Sequence, residues 1–339
     1  MNGISKAMVM SAGVGSRLEP LTLSIPKPLV PIVNRPVMDI LFENLSKIGV
    51  TDVICNTYYL ADKIIERYSD NNNFGINFNY IKETSLSGTA GGVKKCQSFF
   101  DKDSSFLVMS GDGLSNADLK KAIEIHKNSK AIATIGIKRI PLEEVRHFGV
   151  VVTDSDGFIS EFQEKPPVDK AKSNFINTGI YVFDYKIFDY IPENTFYDFA
   201  KDVFPKLLKE HVINTFEVNE YWSDIGTLDQ YVQSNWDLFS GNCEFSHAPI
   251  IKTATGSYIA EDAVVPKSVK FIGNSVIGKY SNIGENAVIE NSIIWDNVIV
   301  DANVHISNCV IASNCSIKMD LYSQIVGAGE IISPESLKI

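Results

Sequence analysis

The chain has 339 residues, enough for two domains with sizeable cores, and its 45% hydrophobic and 21% charged residues are ordinary for a globular protein. A net charge of −10 with no run of Lys or Arg excludes non-specific nucleic-acid binding, whose affinity rests on neutralising many phosphates. No apolar run approaches the roughly 20 residues that span a bilayer, so no membrane partner is expected.

The Met1–Lys6 start leads into an apolar segment too short for a secretory signal, and it reads as a first core strand. Residues 7–11, Ala-Met-Val-Met-Ser, predict that buried strand, ending in a glycine loop. Pro36 suits a first helical turn, and Met38, Leu41, Leu45 and Ile48 follow at helical spacing. Val53-Ile54-Cys55 predicts a strand, 61–69 a helix and 76–81 a strand. A glycine-rich loop at 88–92 leads into a helix at 91–99, then a strand at 105–109, a helix at 116–127 and a strand at 131–137. This alternation predicts an α/β fold, a Rossmann-like, mostly parallel sheet with helices on both faces. Ligands bind such sheets beyond the C-terminal ends of strands, where Gly13–Arg17 and Gly111-Asp112 both fall. Val150–Val152 and Phe158-Ile159 flank Asp154–Gly157 as a hairpin. Helices near 198–210 and 227–240 then close a first domain, 1–240, followed by a linker at 241–257.

From 258 to 339 the texture changes. Ile259, Val265, Phe271, Ile277, Ile283, Ile289 and Trp295 recur every six residues, and after Trp295 the register slips to Val300, Ile306 and Ala312. Neither a helix nor a flat strand has period six. A three-sided β-helix does, with one inward residue per face, and the pattern resembles the left-handed parallel β-helix of hexapeptide-repeat proteins. Its open stack of short strands leads us to expect a homo-oligomer formed through this domain. The five cysteines, Cys55, Cys96, Cys243, Cys309 and Cys315, are odd in number and lack a CxxC pair, which favours a reduced, cytoplasmic chain over a disulfide framework or zinc site.

The first strand runs into Gly13-Val14-Gly15-Ser16-Arg17, and Lys27 follows between two prolines in Ile25-Pro26-Lys27-Pro28-Leu29. Glycines let backbone amides approach phosphate oxygens, a guanidinium adds bidentate bonds, and the prolines stiffen the lysine's segment. No Gly-Lys-Ser/Thr follows, as a Walker A loop would require, and the third glycine of the dinucleotide fingerprint is missing.

Ser11–Thr22, continuing to Pro26-Lys27-Pro28-Leu29-Val30-Pro31-Ile32, resembles the signature of the sugar-nucleotide pyrophosphorylases, the sugar-1-phosphate nucleotidyltransferases. The likeness continues through Gly88-Thr89-Ala90-Gly91-Gly92, Gly111-Asp112, Glu164-Lys165-Pro166, Asn177-Thr178-Gly179 and Trp222–Thr227. It covers residues 7 to about 240 in the family's order. The implied reaction is attack of a sugar 1-phosphate on the α-phosphorus of a nucleoside triphosphate. The nucleophile is already an anion, so the protein's task is alignment and charge neutralisation. The resemblance implies catalytic roles for Arg17, Lys27 and Lys165, and Mg²⁺ as cofactor with Asp112 and Asp224 as its ligands. It implies nucleotide binding by Ala12, Gly13, Gly15, Arg17, Lys27, Glu83, Gly88 and Thr89, and sugar-phosphate binding by Gly149, Glu164, Lys165, Asn177 and Thr178.

A carboxylate at Glu83 could accept two parallel hydrogen bonds from guanine, and Leu21–Val30 looks most like mannose-1-phosphate guanylyltransferases. GTP and mannose 1-phosphate are therefore the expected partners, with adenylyl, thymidylyl or uridylyl transfer to glucose 1-phosphate as the alternative. Gly113, where the family usually has an aliphatic residue, is expected to loosen the metal loop. Two further readings stay open: an added acyl transfer using His305, and a catalytically silent subunit, against which Arg17, Lys27, Asp112, Lys165 and Asp224 all stand.

Overall fold

The computed structural model describes residues 4–69, 74–129, 131–210, 213–240 and 256–336. They form two bodies, one from the described residues of 1–14 and 38–224, the other from those of 15–37 and 225–339. Cys243 and most of the expected linker lie outside the described residues. Among the described residues, no helix is long and apolar enough to cross a membrane.

In the first body the strands are β1 (Lys6–Ser11), β2 (Asp52–Thr57), β3 (Asn77–Lys82), β4 (Ser105–Ser110), β5 (Gly113–Ser115), β6 (Ala133–Arg139), β7 (Gly149–Thr153), β8 (Ile159–Glu164), β9 (Phe175–Asp184), β10 (Ile213–Glu217) and β11 (Trp222–Asp224). Nine of them make one sheet in the order β8-β7-β9-β4-β1-β2-β3, with β6 pairing β9 and β10. β1 is central, and its Ala7, Met8 and Val9 are wholly buried, as a strand covered on both faces must be. Strands β4, β1, β2 and β3 are mutually parallel, as the alternation predicts. β9 runs against β4, β6 and β7, so the sheet is mixed. The sequence reading did not foresee this ten-residue strand.

Helices α1 (Val37–Lys47), α2 (Ala61–Ser69), α3 (Gly88–Lys95), α4 (Leu119–Asn128) and the short α5 (Phe204–Leu208) follow. α1 buries Met38, Leu41 and Leu45 of the predicted stripe, together with Phe42, whereas Ile48 lies beyond its end and is half-buried. α3 starts three residues before the expected helix and stops at Lys95, giving way to a 3₁₀ turn at Gln97–Phe99. α4 starts at Leu119 because the Asp118 carboxylate caps it, accepting from the Lys121 amide at 3.0 Å. The helix expected near 198–210 breaks into a π turn, Phe199–Val203, followed by α5.

The second body holds α6 (Leu228–Ser240), the segment 15–37 and a solenoid of three parallel sheets with five, four and four strands. This is the hexapeptide β-helix. Ile277, Ile283, Ile289, Ile294, Val300, Ile306, Ile311 and Ile317 point inward and are at most 2% exposed. Burying each contributes roughly 2 kcal/mol. Asn286, Asn291, Asn297, Asn303, Asn308 and Asn314 turn the corners with positive φ, a conformation asparagine tolerates better than most residues. The register slips one corner earlier than expected. Val276 pairs with Ile293, a coil of seventeen residues, so Ile294 rather than Trp295 takes the inward place. Trp295 instead donates its indole N–H to the Tyr231 hydroxyl on α6, at 2.8 Å.

Candidate active site

β1 and β4 end side by side, tied where the Gly111 amide donates to the Met10 carbonyl at 2.9 Å. The order β3-β2-β1-β4 makes this the place where connections diverge, the usual ligand crevice of such sheets. Beyond β4 the chain enters β5, which pairs antiparallel with β11 so that Gly113 faces Asp224. This pairing brings Asp112 and Asp224, 112 positions apart in sequence, to one cavity of about 190 Å³. Gly113 therefore sits in a strand, where a Cβ would meet only ordinary contacts, and does not loosen a loop.

The other walls come from β9, β11 and the end of the turn at 142–147. A register shift between Asn177 and Tyr181 makes a bulge in β9, and Gly179 takes φ +73° there. A Cβ on Gly179 would stand 3.0 Å from that of Ser110, so the bulge and β4 can meet closely only with glycine. Asn177 holds the bulge from inside: its Oδ1 accepts from the Gly179 amide, and its Nδ2 donates to the Tyr181 hydroxyl, both at 3.0 Å. The Thr178 hydroxyl donates to the Gly136 carbonyl at 2.8 Å, and its own carbonyl accepts the Trp222 indole N–H at 2.9 Å. Trp222 in turn meets Phe148 edge to face, with ring centroids 5.8 Å apart. Burial raises the Tyr181 phenol far above its ordinary range, with the Asp198 and Glu164 charges adding to it, so Tyr181 acts as a neutral hydroxyl.

Ser110 donates its hydroxyl to one oxygen of Asp112. Among the described residues no group of three or more His, Cys, Asp or Glu side chains converges on a metal site. Two carboxylates, Asp112 in the turn before β5 and Asp224 on β11, do line one cavity, and such hard oxygen donors fit Mg²⁺, which keeps several positions for phosphates and water.

Gly149 pairs with Glu164 across β7 and β8, and a Cβ on Gly149 would stand 3.4 Å from a Glu164 carboxylate oxygen. Lys165 adopts φ +45°, and its amide donates to the carbonyl of Phe148, which lines the cavity. Its ammonium lies 4.0 Å from Glu164 with both side chains largely exposed, a weak pair at most.

Glu83 is placed differently from the expectation. Its side chain is only 1% exposed. Oε1 accepts from Asn56 Nδ2 at 2.8 Å, and Oε2 accepts from the Ser87 hydroxyl and from Lys95 Nζ at 2.7 Å. Asn56 Oδ1 accepts from the Ser11 amide at 3.1 Å, which fixes the end of β1 where Ala12-Gly13 begins. Gly92 makes room for this chain, since a Cβ there would lie 2.5 Å from Asn56 Nδ2. Three donors already occupy the carboxylate that was expected to read a base.

Gly88 and Thr89 also contact the chain itself, although Thr89 is exposed. A Cβ on Gly88, at φ +77°, would lie 2.4 Å from the Tyr197 carbonyl oxygen. That oxygen accepts the Ala90 and Gly91 amides, and the Thr89 hydroxyl donates to Asp198 at 2.9 Å. The glycine-rich motif thus docks α3 against 195–199. Gly13 contrasts with it: a Cβ there would meet nothing within 4 Å, and no positive φ requires glycine.

In the second body Gly15 has φ +73° and its carbonyl accepts the Thr22 hydroxyl at 2.9 Å. A Cβ on Gly15 would stand 3.0 Å from the Cβ of Lys27, so the absence of a side chain lets Arg17 and Lys27 share one tight turn system. Lys27 is 6% exposed, its segment stiffened by a 3₁₀ turn over Lys27–Leu29. α6 holds the hairpin in which Pro31–Ile32 pairs with Arg35–Pro36, as Asn235 Oδ1 accepts from the Val33 amide at 2.8 Å and Tyr231 donates to the Pro31 carbonyl at 3.0 Å. His305 lies on a solenoid face with its ring against Tyr322, centroids 5.3 Å apart.

Sequence reasoning missed Ser110, Phe148, Tyr181 and Asn56. A signal existed only for Ser110, two residues before Asp112 on a strand end.

Residues 6–240 match the nucleotidyl transferase family, and residues 245–329 match the GlmU-like C-terminal hexapeptide family. A UTP–glucose-1-phosphate uridylyltransferase from Synechocystis is 36% identical over 316 residues, covering 84% of this chain and 81% of the relative. A mannose-1-phosphate guanylyltransferase from Mycobacterium tuberculosis is 31% identical, covering 82% and 76%. The crystal structure of HddC from Yersinia pseudotuberculosis superposes with a TM-score of 0.60 at 27% identity, covering 69% of this chain and all of that one.

Proposed function

The chain belongs to the nucleotidyl transferase family and is an enzyme of its sugar-1-phosphate branch, and we propose that it makes a nucleoside diphosphate hexose with release of pyrophosphate. The observation that carries this reading is the pairing of Asp112 and Asp224 in one polar cavity at the end of β4. A sugar-phosphate oxygen forms the new bond to the α-phosphorus, and the bond from that phosphorus to the β-bridging oxygen breaks. Asp112 and Asp224 would hold Mg²⁺, which when bound neutralises phosphate charge. We assign Arg17 and Lys27, with the backbone of Ala12, Gly13 and Gly15, to the triphosphate, and Lys165 to the attacking phosphate. Glu164, Asn177, Thr178 and the Gly149 backbone are assigned to the sugar, whose hydroxyls both donate and accept. Gly88 and Thr89 frame the nucleotide side. Gly13 supports the triphosphate assignment: its own fold makes no demand for glycine, so the open space serves something outside the chain.

Two substrate pairs compete. GTP with mannose 1-phosphate is supported by Leu21–Val30 and by the guanylyltransferase relative. UTP with glucose 1-phosphate is supported by the more similar Synechocystis relative, and Glu83, whose oxygens already serve Asn56, Ser87 and Lys95, gives guanine no support. Pyrophosphate release, measured with GTP, UTP, ATP, dTTP and CTP against both sugar phosphates, decides between them. If no pair turns over in the presence of Mg²⁺, the reading fails. Asp112→Asn should lower kcat by at least 100-fold with unchanged thermal stability, and near-normal turnover would remove Asp112 from the metal. We also place the enzyme in the cytoplasm, consistent with four free buried cysteines, Cys55, Cys96, Cys309 and Cys315. Assembly through the β-helix is part of the same reading, and a light-scattering mass of one chain would refute it.

A further inference from the structure

The second body carries the solenoid together with the segment 15–37, which bears Arg17 and Lys27. Where the solenoid's register slips, Trp295 keeps its backbone in the stack. Its amide donates to the Ile311 carbonyl at 2.9 Å, and its carbonyl accepts the Ser281 hydroxyl at 2.8 Å. Its indole leaves the stack and donates to the Tyr231 hydroxyl at 2.8 Å, and that hydroxyl donates in turn to the Pro31 carbonyl at 3.0 Å. Trp295 is 4% exposed and Tyr231 is wholly buried, and burial raises the Tyr231 phenol far above its ordinary range. The phenol therefore stays neutral, with its one proton and an acceptor lone pair both committed. Asn235 braces the same link, donating to the Tyr231 carbonyl while it accepts from the Val33 amide, both at 2.8 Å. At a later coil, Pro20 rests on Gly327, where a Cβ would stand 3.3 Å from the Pro20 Cβ.

Between Pro31 and Arg17 the chain has little freedom. Pro26, Pro28 and Pro31 each fix φ, and the Val30 amide donates to the Lys27 carbonyl at 3.1 Å. Lys27 in turn abuts Gly15, where a Cβ would stand 3.0 Å from the Lys27 Cβ. A shift of Pro31 thus carries to Lys27 and on to the turn that holds Arg17. We propose that Trp295 and Tyr231 are positioning residues for the nucleotide: through this buried pair the β-helix sets the segment that grips the triphosphate. The proposal rests on the assignment of Arg17 and Lys27 to the triphosphate, and it gives the repeat domain a part in the reaction beyond any part in assembly. The register slip supports it, because Ile294 fills the inward place and frees Trp295 for a contact outside the stack.

Tyr231→Phe removes the hydroxyl with both its bonds, and Trp295→Phe removes only the indole N–H. In steady-state kinetics with whichever triphosphate the chain turns over fastest, Tyr231→Phe should raise the nucleotide KM roughly tenfold and leave the sugar-phosphate KM within about twofold. Trp295→Phe should act in the same direction by less, and the double variant should match Tyr231→Phe, because both changes break one chain of bonds. Hydrogen–deuterium exchange, read without turnover, should quicken at the Val30, Val33 and Val37 amides in both variants and stay unchanged in β1. Should Tyr231→Phe fail to fold, Trp295→Phe, which keeps the Tyr231–Pro31 bond, carries the same test. An unchanged nucleotide KM in a folded variant, or an equal rise in both KM values, would overturn the proposal. Lys27→Ala separates it from the reading beneath it. If that change leaves the nucleotide KM as it was, the triphosphate assignment fails and the proposal falls with it. If Lys27→Ala raises the KM and Tyr231→Phe does not, the proposal alone falls.

Discussion

Asn56→Ala tests the buried chain that anchors the end of β1. Asn56 is 4% exposed, and its amide makes two bonds that nothing else can replace: one from the Ser11 amide and one to Glu83. Alanine leaves a buried N–H and a buried carboxylate oxygen each short of a partner. Unsatisfied groups of these kinds cost about 1–3 kcal/mol apiece, more where a charge is involved, so the loss should total about 4 kcal/mol. At 2–4 °C per kcal/mol for a domain of this size, the melting temperature should fall by about 10 °C. Turnover should separate the structural loss from the functional one. At a temperature where the variant is fully folded, the KM for the nucleotide should rise several-fold while kcat changes little, because the loop carrying Gly13 starts at Ser11. Asn56→Asp sharpens the test. It keeps an acceptor for the Ser11 amide but sets a second carboxylate 2.8 Å from Glu83, so it should be less stable than the alanine variant. A stable Asn56→Asp protein with an unchanged nucleotide KM would show that the Asn56–Glu83 bond is not what holds this loop.

Further outcomes follow from single positions. Gly13→Ala should leave thermal stability unchanged or slightly raised, since its Cβ meets nothing, yet raise the nucleotide KM; a normal KM would mean that the space above Gly13 is not used. Gly88→Ala should destabilise strongly in thermal melts, because φ is +77° and the new Cβ would stand 2.4 Å from a carbonyl oxygen, and wild-type stability would contradict that packing. His126 is 4% exposed and burial lowers its pKa to about 4, against an ordinary value of 6.5. The unfolded chain therefore binds the extra proton first, and stability falls as pH drops from 6.5 towards 4, by up to about 3 kcal/mol. His126→Gln should flatten that part of a denaturation-versus-pH curve, and an unchanged slope would refute the assignment.

β1 and β4 were readable because they are short apolar runs, buried on both faces and followed closely by glycine. β9 was not, because its apolar residues are interrupted by Asn177-Thr178-Gly179, and only the bulge there makes a strand of them. The carboxylates of the site were legible from motifs, but their meeting depends on two three-residue strands, β5 and β11, too short for any periodicity. Glu83 shows the opposite error. A carboxylate five residues before a glycine motif resembles a reader of bases, whereas its burial depends on Asn56, Ser87 and Lys95, which no local pattern connects. The hexapeptide tail was the clearest signal of all. Its slip was misplaced by one corner because Trp295, bulky and in register, fits the sixfold count better than Ile294 does. Only the Tyr231 hydroxyl on α6 reveals why the indole turns away.

The solenoid's corners have a consequence for how this chain can vary in length. Each coil rests only on the coil before and after it, and the same asparagine-turned cross-section recurs along the axis. A whole coil can therefore be gained or lost as a unit, like a course of bricks, without disturbing the shape of those that remain. A deletion inside a coil must keep its corners: the last coil spans fifteen residues against eighteen in an earlier one, yet Leu321 still pairs with Ile306 and Val326 with Ile311. The rod's length can thus drift between proteins in steps of about one coil, while the chemistry at the end of β4 stays as it is.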